Sequence, residues 1–357
     1  MIGSQKIILG VCITSLFTAC KKDTDPLIII QPTSGAQVQF DGLIGSEPGS
    51  AAGNTVFLDL STSKTTAVAR ASWDLGFYSG ADFRVVLNNS TSAGAKVLAK
   101  NDLNTVGAAD TMGLSLSVNQ LNPQPTDMVY FDDIGGNINI TVIPAISATD
   151  ASNNVVIVNR GNGGGIAARP WIKLRVLRNT SGGYTVQYAG INETSFRTLQ
   201  VSKDAAYHFR FVSFETGIIP VQPEKDKWDL AWGYSVFQTN FGAGLVPYNF
   251  SDLIMVNHLS GVHVKEKIYA DASTAAAAYS AFNRDSVNNT TLVAGRWTIG
   301  SNWRTASPTP GASGTKKDRF YIIKDSAGNV YKLKCLSFHS DEGGTRGRPE
   351  FKYELIR

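Results

Sequence analysis

Cysteine is nearly absent from this 357-residue chain, which has only Cys12, Cys20 and Cys335. The first two fall in an N-terminal leader, so no intrachain disulfide braces the folded part and no CxxC motif exists for a metal or redox centre. Histidine and methionine are as sparse, with four of each. Charged residues make up only 17%, and the 33 basic and 29 acidic side chains are scattered rather than clustered. A net charge of +4 without a basic patch excludes the electrostatic footprint of a nucleic-acid binder. No HExxH helix and no GxSxG elbow occurs, so metalloprotease and serine-hydrolase chemistry lack their basic parts. Gly161-Asn162-Gly163-Gly164-Gly165 is not followed by Lys-Ser/Thr and reads as a flexible loop rather than a phosphate cradle. The acid pairs Asp132-Asp133 and Asp341-Glu342 stand beside Gly-Gly turns and read as solvated loop ends. With no catalytic constellation, the chain is read as a non-enzyme.

Long hydrophobic runs are also missing. The longest, Ile7 to Phe17, is too short to span a bilayer. With Lys6 before it and Phe17-Thr18-Ala19-Cys20 after it, residues 1–19 read as a signal peptide. Small residues before a cysteine resemble the lipobox of bacterial lipoproteins, which makes Cys20 the lipidation candidate. Lys21-Lys22-Asp23-Thr24-Asp25-Pro26 resembles the charged tether of Bacteroidetes lipoproteins, so residues 20–37 are assigned to a lipidated tether.

What the chain does have is β patterning. Trp228, Leu230, Trp232, Tyr234 and Val236 alternate without a break, the period of a strand with one aromatic face. Ser72-Trp73-Asp74-Leu75-Gly76-Phe77-Tyr78 repeats its Trp-Asp-Leu core in phase. Val56 to Leu60 and Phe209 to Phe214 are a matching pair of strands ahead of these. Further on, the hairpin Trp171–Tyr188 has a partner in Arg319–Cys335, and short strands at Phe196–Leu199 and Phe351–Ile356 close the two halves. The expected fold is all-β, with antiparallel sheets in two related units at 38–200 and 201–357. One segment departs from this pattern: Asp271–Arg284 carries helix formers behind an Asp271 or Ser273 cap and reads as a short helix packed through Tyr279 and Phe282. Cys335 shares the apolar face of its strand with Tyr331 and Leu333 and reads as a buried, inert thiol.

Taken together, the leader, the Trp-Asp-Leu strands and the closing run Phe320-Tyr321-Ile322-Ile323-Lys324-Asp325-Ser326-Ala327-Gly328-Asn329-Val330-Tyr331-Lys332-Leu333-Lys334 resemble the HmuY family of Bacteroidetes lipoproteins. The resemblance is clearest over 201–357 and weaker over 38–200. It implies two tandem HmuY-like units and a haem-binding lipoprotein on the cell-surface side of the outer membrane. Such a protein hands haem or a related porphyrin to a TonB-dependent receptor for iron acquisition. It also implies axial iron ligands, histidines in some members and methionines in others. By position, the first falls near Met255 to His263, making His258, His263 and Met255 the candidates. The second falls near Ile299 to Arg304, where this sequence has no His or Met. Trp303 is instead expected to stack on the porphyrin and Arg304 to pair with a propionate. The alternation of its strand gives His208 a solvated or structural role. Six tryptophans, four of them after residue 200, support the other reading: a non-catalytic surface β-protein that binds glycan, peptide or an envelope component without haem.

Overall fold

The two Trp-Asp-Leu strands lie at the centre of two inner sheets in a computed structural model that describes residues 31–242 and 244–357. One inner sheet runs, in order, through Leu245–Val256, Leu230–Asn240, Asn54–Asp59 and Lys64–Ala69. The other runs through Gly217–Ile219, Phe209–Ser213, Leu75–Tyr78 and Val85–Leu87. Each is backed by a five-stranded outer sheet. The first outer sheet orders Gly35–Gln39, Glu350–Leu355, Val330–Ser337, Arg319–Lys324 and His263–Ile268. The second orders Arg197–Val201, Tyr184–Gly190, Ile172–Arg178, Val156–Asn159 and Gly94–Val97. Every one of these pairings is antiparallel. The all-β class expected from the period-two patterning is what the chain adopts.

Each inner sheet draws on both halves of the sequence. The hairpin Asn54–Ala69 pairs with the second tryptophan strand, placing Phe57 opposite Ala231. The hairpin Phe209–Ile219 pairs with the first, placing Phe211 opposite Gly76. The halves have thus exchanged hairpins, and residues 32–357 form one compact unit that no cut at 200/201 would separate without breaking three ladders, since Gly35–Gln39 also pairs with Glu350–Leu355. Matching hydrogen bonds mark the relation. Asp229 N–H donates to Leu58 O and Asp74 N–H to Val212 O, both at 2.8 Å. Asn257 Nδ2 donates to the Lys225 and Trp228 carbonyls, and Asn88 Nδ2 to those of Arg70 and Trp73.

Inner and outer sheets enclose two cores. Leu58, Leu230, Trp232, Ile254, Tyr321, Leu333 and Phe351 fill the first. Leu75, Phe77, Leu87, Val158, Leu174, Val186 and Val212 fill the second. Burying each such side chain contributes about 1.5–3 kcal/mol. Cys335 is buried in the first core, where burial pushes its thiol pKa up, so it lies among apolar neighbours as its strand pattern indicated. The helix forms at Ala272–Ala281, with Asp271 accepting from Thr274 N–H at 2.7 Å. Tyr279 and Phe282 meet Phe320 edge-on. A second helix, Arg284–Asn288, follows on an Asn283 cap.

Two local expectations fail. The alternation from Trp228 to Val236 is not one face. Leu230 and Trp232 enter the core, whereas Trp228 joins Phe57, Ala231 and Met255 on the other side of the sheet. The chain begins pairing only at Leu230, and a bulge between Gly233 and Ser235 shifts the register again. The Gly161–Gly165 loop is also not free. Its Gly163 and Gly164 carbonyls accept from the buried Arg70 guanidinium, whose Nε bonds Ala52 O at 2.8 Å and which lies 4.7 Å from the Tyr234 ring centroid. Gly164 has φ +64°, and a Cβ there would meet Arg70 Nη2 at 2.6 Å.

Candidate functional site

The inner sheets turn their remaining faces toward each other, and between them lies a cavity of about 140 Å³. Its apolar wall is doubled like the fold. Phe57 meets Trp228 edge-on at 5.1 Å, and Phe211 meets Trp73 edge-on at 4.8 Å. Ala231 and Met255 complete the wall on one side, Val86 and Phe209 on the other. The rim carries the polar groups, and these are not doubled. The 3-10 turn His258–Ser260 supplies His258, while Asn89 stands at the same place in the first half's turn Asn89–Thr91. Asp132 and Gly136 come from the long irregular segment after Gly94–Val97, and Arg296 from the stretch after the helices.

His258 is half-buried, with Nδ1 3.4 Å from Val256 O and Nε2 3.3 Å from Gly136 O. Burial first, and then Arg296, pushes its pKa below the usual value. A neutral imidazole has one N–H, so only one of those carbonyls is served. His208 also lines the cavity, and burial pushes its pKa below the usual value. Its Nε2 lies 2.7 Å from Ser260 Oγ, whose single proton goes to Lys225 O. Nε2 therefore carries the ring proton, and the lone pair sits on Nδ1. The structural role given to His208 from its strand period is consistent with this bond, which holds it as an imidazole on the cavity wall.

Asp132 is likewise not a solvated loop end. It is buried, its oxygens accept from Leu87 N–H at 2.6 Å and Val142 N–H at 2.9 Å, and burial raises its pKa to about 6. Asp133 does serve its turn, accepting from Asn137 N–H. Arg296 approaches Met255 Sδ at 3.7 Å, and burial lowers its pKa to about 10.

The sequence candidates separate. Met255 and His258 reach the cavity. His263 does not: it starts an outer-sheet strand opposite Lys324, with Nδ1 2.7 Å from Gly261 O, so the two imidazoles do not converge. Trp303 and Arg304 also lie elsewhere. Trp303 is fully buried in the first core, packed on Phe338 and Phe351 with Nε1 donating to Asp252 O, which leaves no ring face for a porphyrin. Arg304 is committed to Ser251 O at 2.6 Å. Both are consumed by packing, because a large aromatic gains most where every face is covered. His339 caps its own turn, accepting from Asp341 N–H. Cys20 lies outside the described residues. Sequence reading missed Arg296, Asp132, Trp73 and Asn89 as site residues. Only Trp73 had a signal, its match to Trp228.

Haem, the group that the resemblance implies, suits the residue types here but not the space. About 140 Å³ is the size of an engineered cavity that holds one benzene, roughly 150 Å³, and a tetrapyrrole exceeds it. Both ring nitrogens of His258 also face carbonyls rather than a metal position.

Comparison with known proteins gives a family. Residues 51–172 and 205–353 match the family model described as HmuY protein, which covers more than half of the chain. No curated protein and no solved structure matches it. Among the described residues, no helix is long and apolar enough to cross a membrane. The two matched stretches each contain one tryptophan strand and hairpin, in accord with two tandem HmuY-like units, and the chain belongs to the HmuY family, whose members are haem-binding proteins rather than enzymes.

Proposed function

We propose that this protein is a haem-binding lipoprotein of the outer membrane, anchored through Cys20 and exposed at the cell surface. It passes haem to a TonB-dependent receptor for iron acquisition. Family membership supports haem handling. The observation that carries the site is that His208, His258 and Met255 all line one cavity, the side-chain types that ligate haem iron. The cavity is too small for haem as it stands, so this reading requires the segment 132–141 to lift from its rim, breaking the His258 to Gly136 contact.

Haemin titration tests this reading. The full chain should give a Soret shift that weakens in His258→Ala, His208→Ala and Met255→Ala variants but persists in His263→Ala. A spectrum that stays that of free haemin would remove the reading. The small cavity favours the second reading, a surface β-protein that binds an envelope component, glycan or peptide without haem; binding on a glycan array without any haemin response would support it.

A further inference from the structure

We propose that the cavity between the inner sheets is a binding site for a small apolar carboxylate of single-ring size, with Arg296 as the residue that reads its acid group. This goes beyond the haem reading and does not depend on it.

Three observations carry the inference. The wall of Phe57, Trp73, Phe211 and Trp228 is aromatic on both sides, and about 140 Å³ has room for one ring. A space of that size with aromatic walls takes an aromatic guest because it removes ring surface from water without displacing any protein contact. The second observation is a cation without a counter-ion. Among the described residues no carboxylate lies within 4.0 Å of the Arg296 guanidinium, whose side-chain contacts are the Met255 thioether and the face of Trp297, 5.1 Å from its ring centroid. Two acids act on it through space rather than by contact: Asp132 has both oxygens committed to backbone N–H groups of Leu87 and Val142, and Asp133 accepts from the Asn137 N–H. An unpaired guanidinium beside an apolar wall is costly until an anion arrives, and its fork suits a carboxylate. Third, two wall residues hold unused polar atoms. Trp228 and Asn89 are each only 8% exposed, and Trp228 Nε1 and Asn89 Oδ1 have no partner. Such atoms are rarely left single in a native interior. Arg296 and the Trp228 N–H are donors, as an acid group requires, while Asn89 offers one acceptor to a ring substituent.

The test compares phenylacetate with phenylacetamide, which has the same shape without the charge, by isothermal titration into the full chain. The acid should bind at least about tenfold more tightly than the amide. In Arg296→Gln the acid should fall to the level of the amide. If that variant does not fold, the acid-against-amide comparison on the unaltered protein decides alone. Equal affinities, no binding of either compound at millimolar concentration, or an acid preference surviving in Arg296→Gln would overturn the proposal. Haemin titration reads separately: no Soret shift would remove the haem reading and leave this one standing, and phenylacetate failing while haemin binds would do the reverse.

Discussion

Asp74 and Asp229 occupy the same position in the two tryptophan strands, follow the same residue and precede the same residue, yet they meet different surroundings. Both accept from a backbone N–H of the exchanged hairpin, Phe214 at 2.9 Å and Leu60 at 2.8 Å. Asp74 is also gripped by Arg160 through two bonds of 2.7 and 2.9 Å and touched by Arg169 at 3.2 Å. Among the described residues, Asp229 meets no cation. Burial, and behind it the like charges of Asp325 and Asp59, raise its pKa to about 7. The difference arises where the halves differ. Arg160 directly follows Val156–Asn159, a strand set between Gly94–Val97 and Ile172–Arg178, whereas in the other outer sheet His263–Ile268 pairs directly with Arg319–Lys324. The repeat therefore preserves the carboxylate as an acceptor that ties strand to hairpin, and only one copy has converted it into an ion pair.

The largest expected effect is on that pair. Asp74→Asn should cost about 3 kcal/mol in urea unfolding at pH 7, because buried Arg160 is left with only the exposed Glu215 carboxylate as counter-ion. Asp229→Asn should cost little, since Asn still accepts from Leu60. Equal losses would erase the distinction. The second effect is pH dependence. With Asp229 at about 7 folded against an ordinary value of 3.8, the folded state holds a proton that the unfolded state lacks between about pH 4 and pH 7. Stability is thus greatest at the acid end and is lost as pH rises through about 7, by on the order of a few kcal/mol. Because Asp132 acts in the same direction, the readout is the difference between the unaltered chain and Asp229→Asn. The variant should have the flatter profile and gain relative stability toward pH 8; parallel profiles would contradict the assignment. Third, Asn88→Ala and Asn257→Ala each strand two carbonyls, but Asn88 Oδ1 also accepts from Ser90 N–H and Ser90 Oγ, whereas Asn257 makes no side-chain cap bond. Asn257→Ala should cost about 2 kcal/mol and Asn88→Ala more. Equal losses would mean that the extra Asn88 bonds contribute nothing. Smallest of all, His263→Ala should change stability by less than about 0.5 kcal/mol, as expected of a side chain away from either core.

Much of the fold was legible in the residues themselves. The Asp271 cap and the run of alanines announce a helix because capping and propensity act within one turn. The hairpin Ile172–Gly190 follows from two apolar alternations and a Ser-Gly-Gly turn. Exchange of the hairpins was not legible. Nothing local tells Phe57 to sit opposite Ala231 rather than beside its own Trp73, since either partner satisfies the same pattern. The site suffered more. His258 and Met255 were found by their position in a family pattern, and His263, Trp303 and Arg304 were drawn in by the same reasoning although packing had already claimed them. Arg296 carried no pattern at all, and Asp132 only that of an acid pair beside a turn.

The sequence by itself determined the strand class, the Asp271-capped helix, the doubling of the tryptophan strands and the scarcity of metal ligands, because each depends on composition or on residues a few positions apart. Tertiary structure alone decided which hairpin joins which strand, which Asp of an identical pair gains an arginine, and that Trp73, Asp132, His208, Trp228 and Arg296 share one cavity. Those outcomes depend on contacts between residues far apart in the chain, where β pairing is chosen by the fit of whole faces rather than by any local preference.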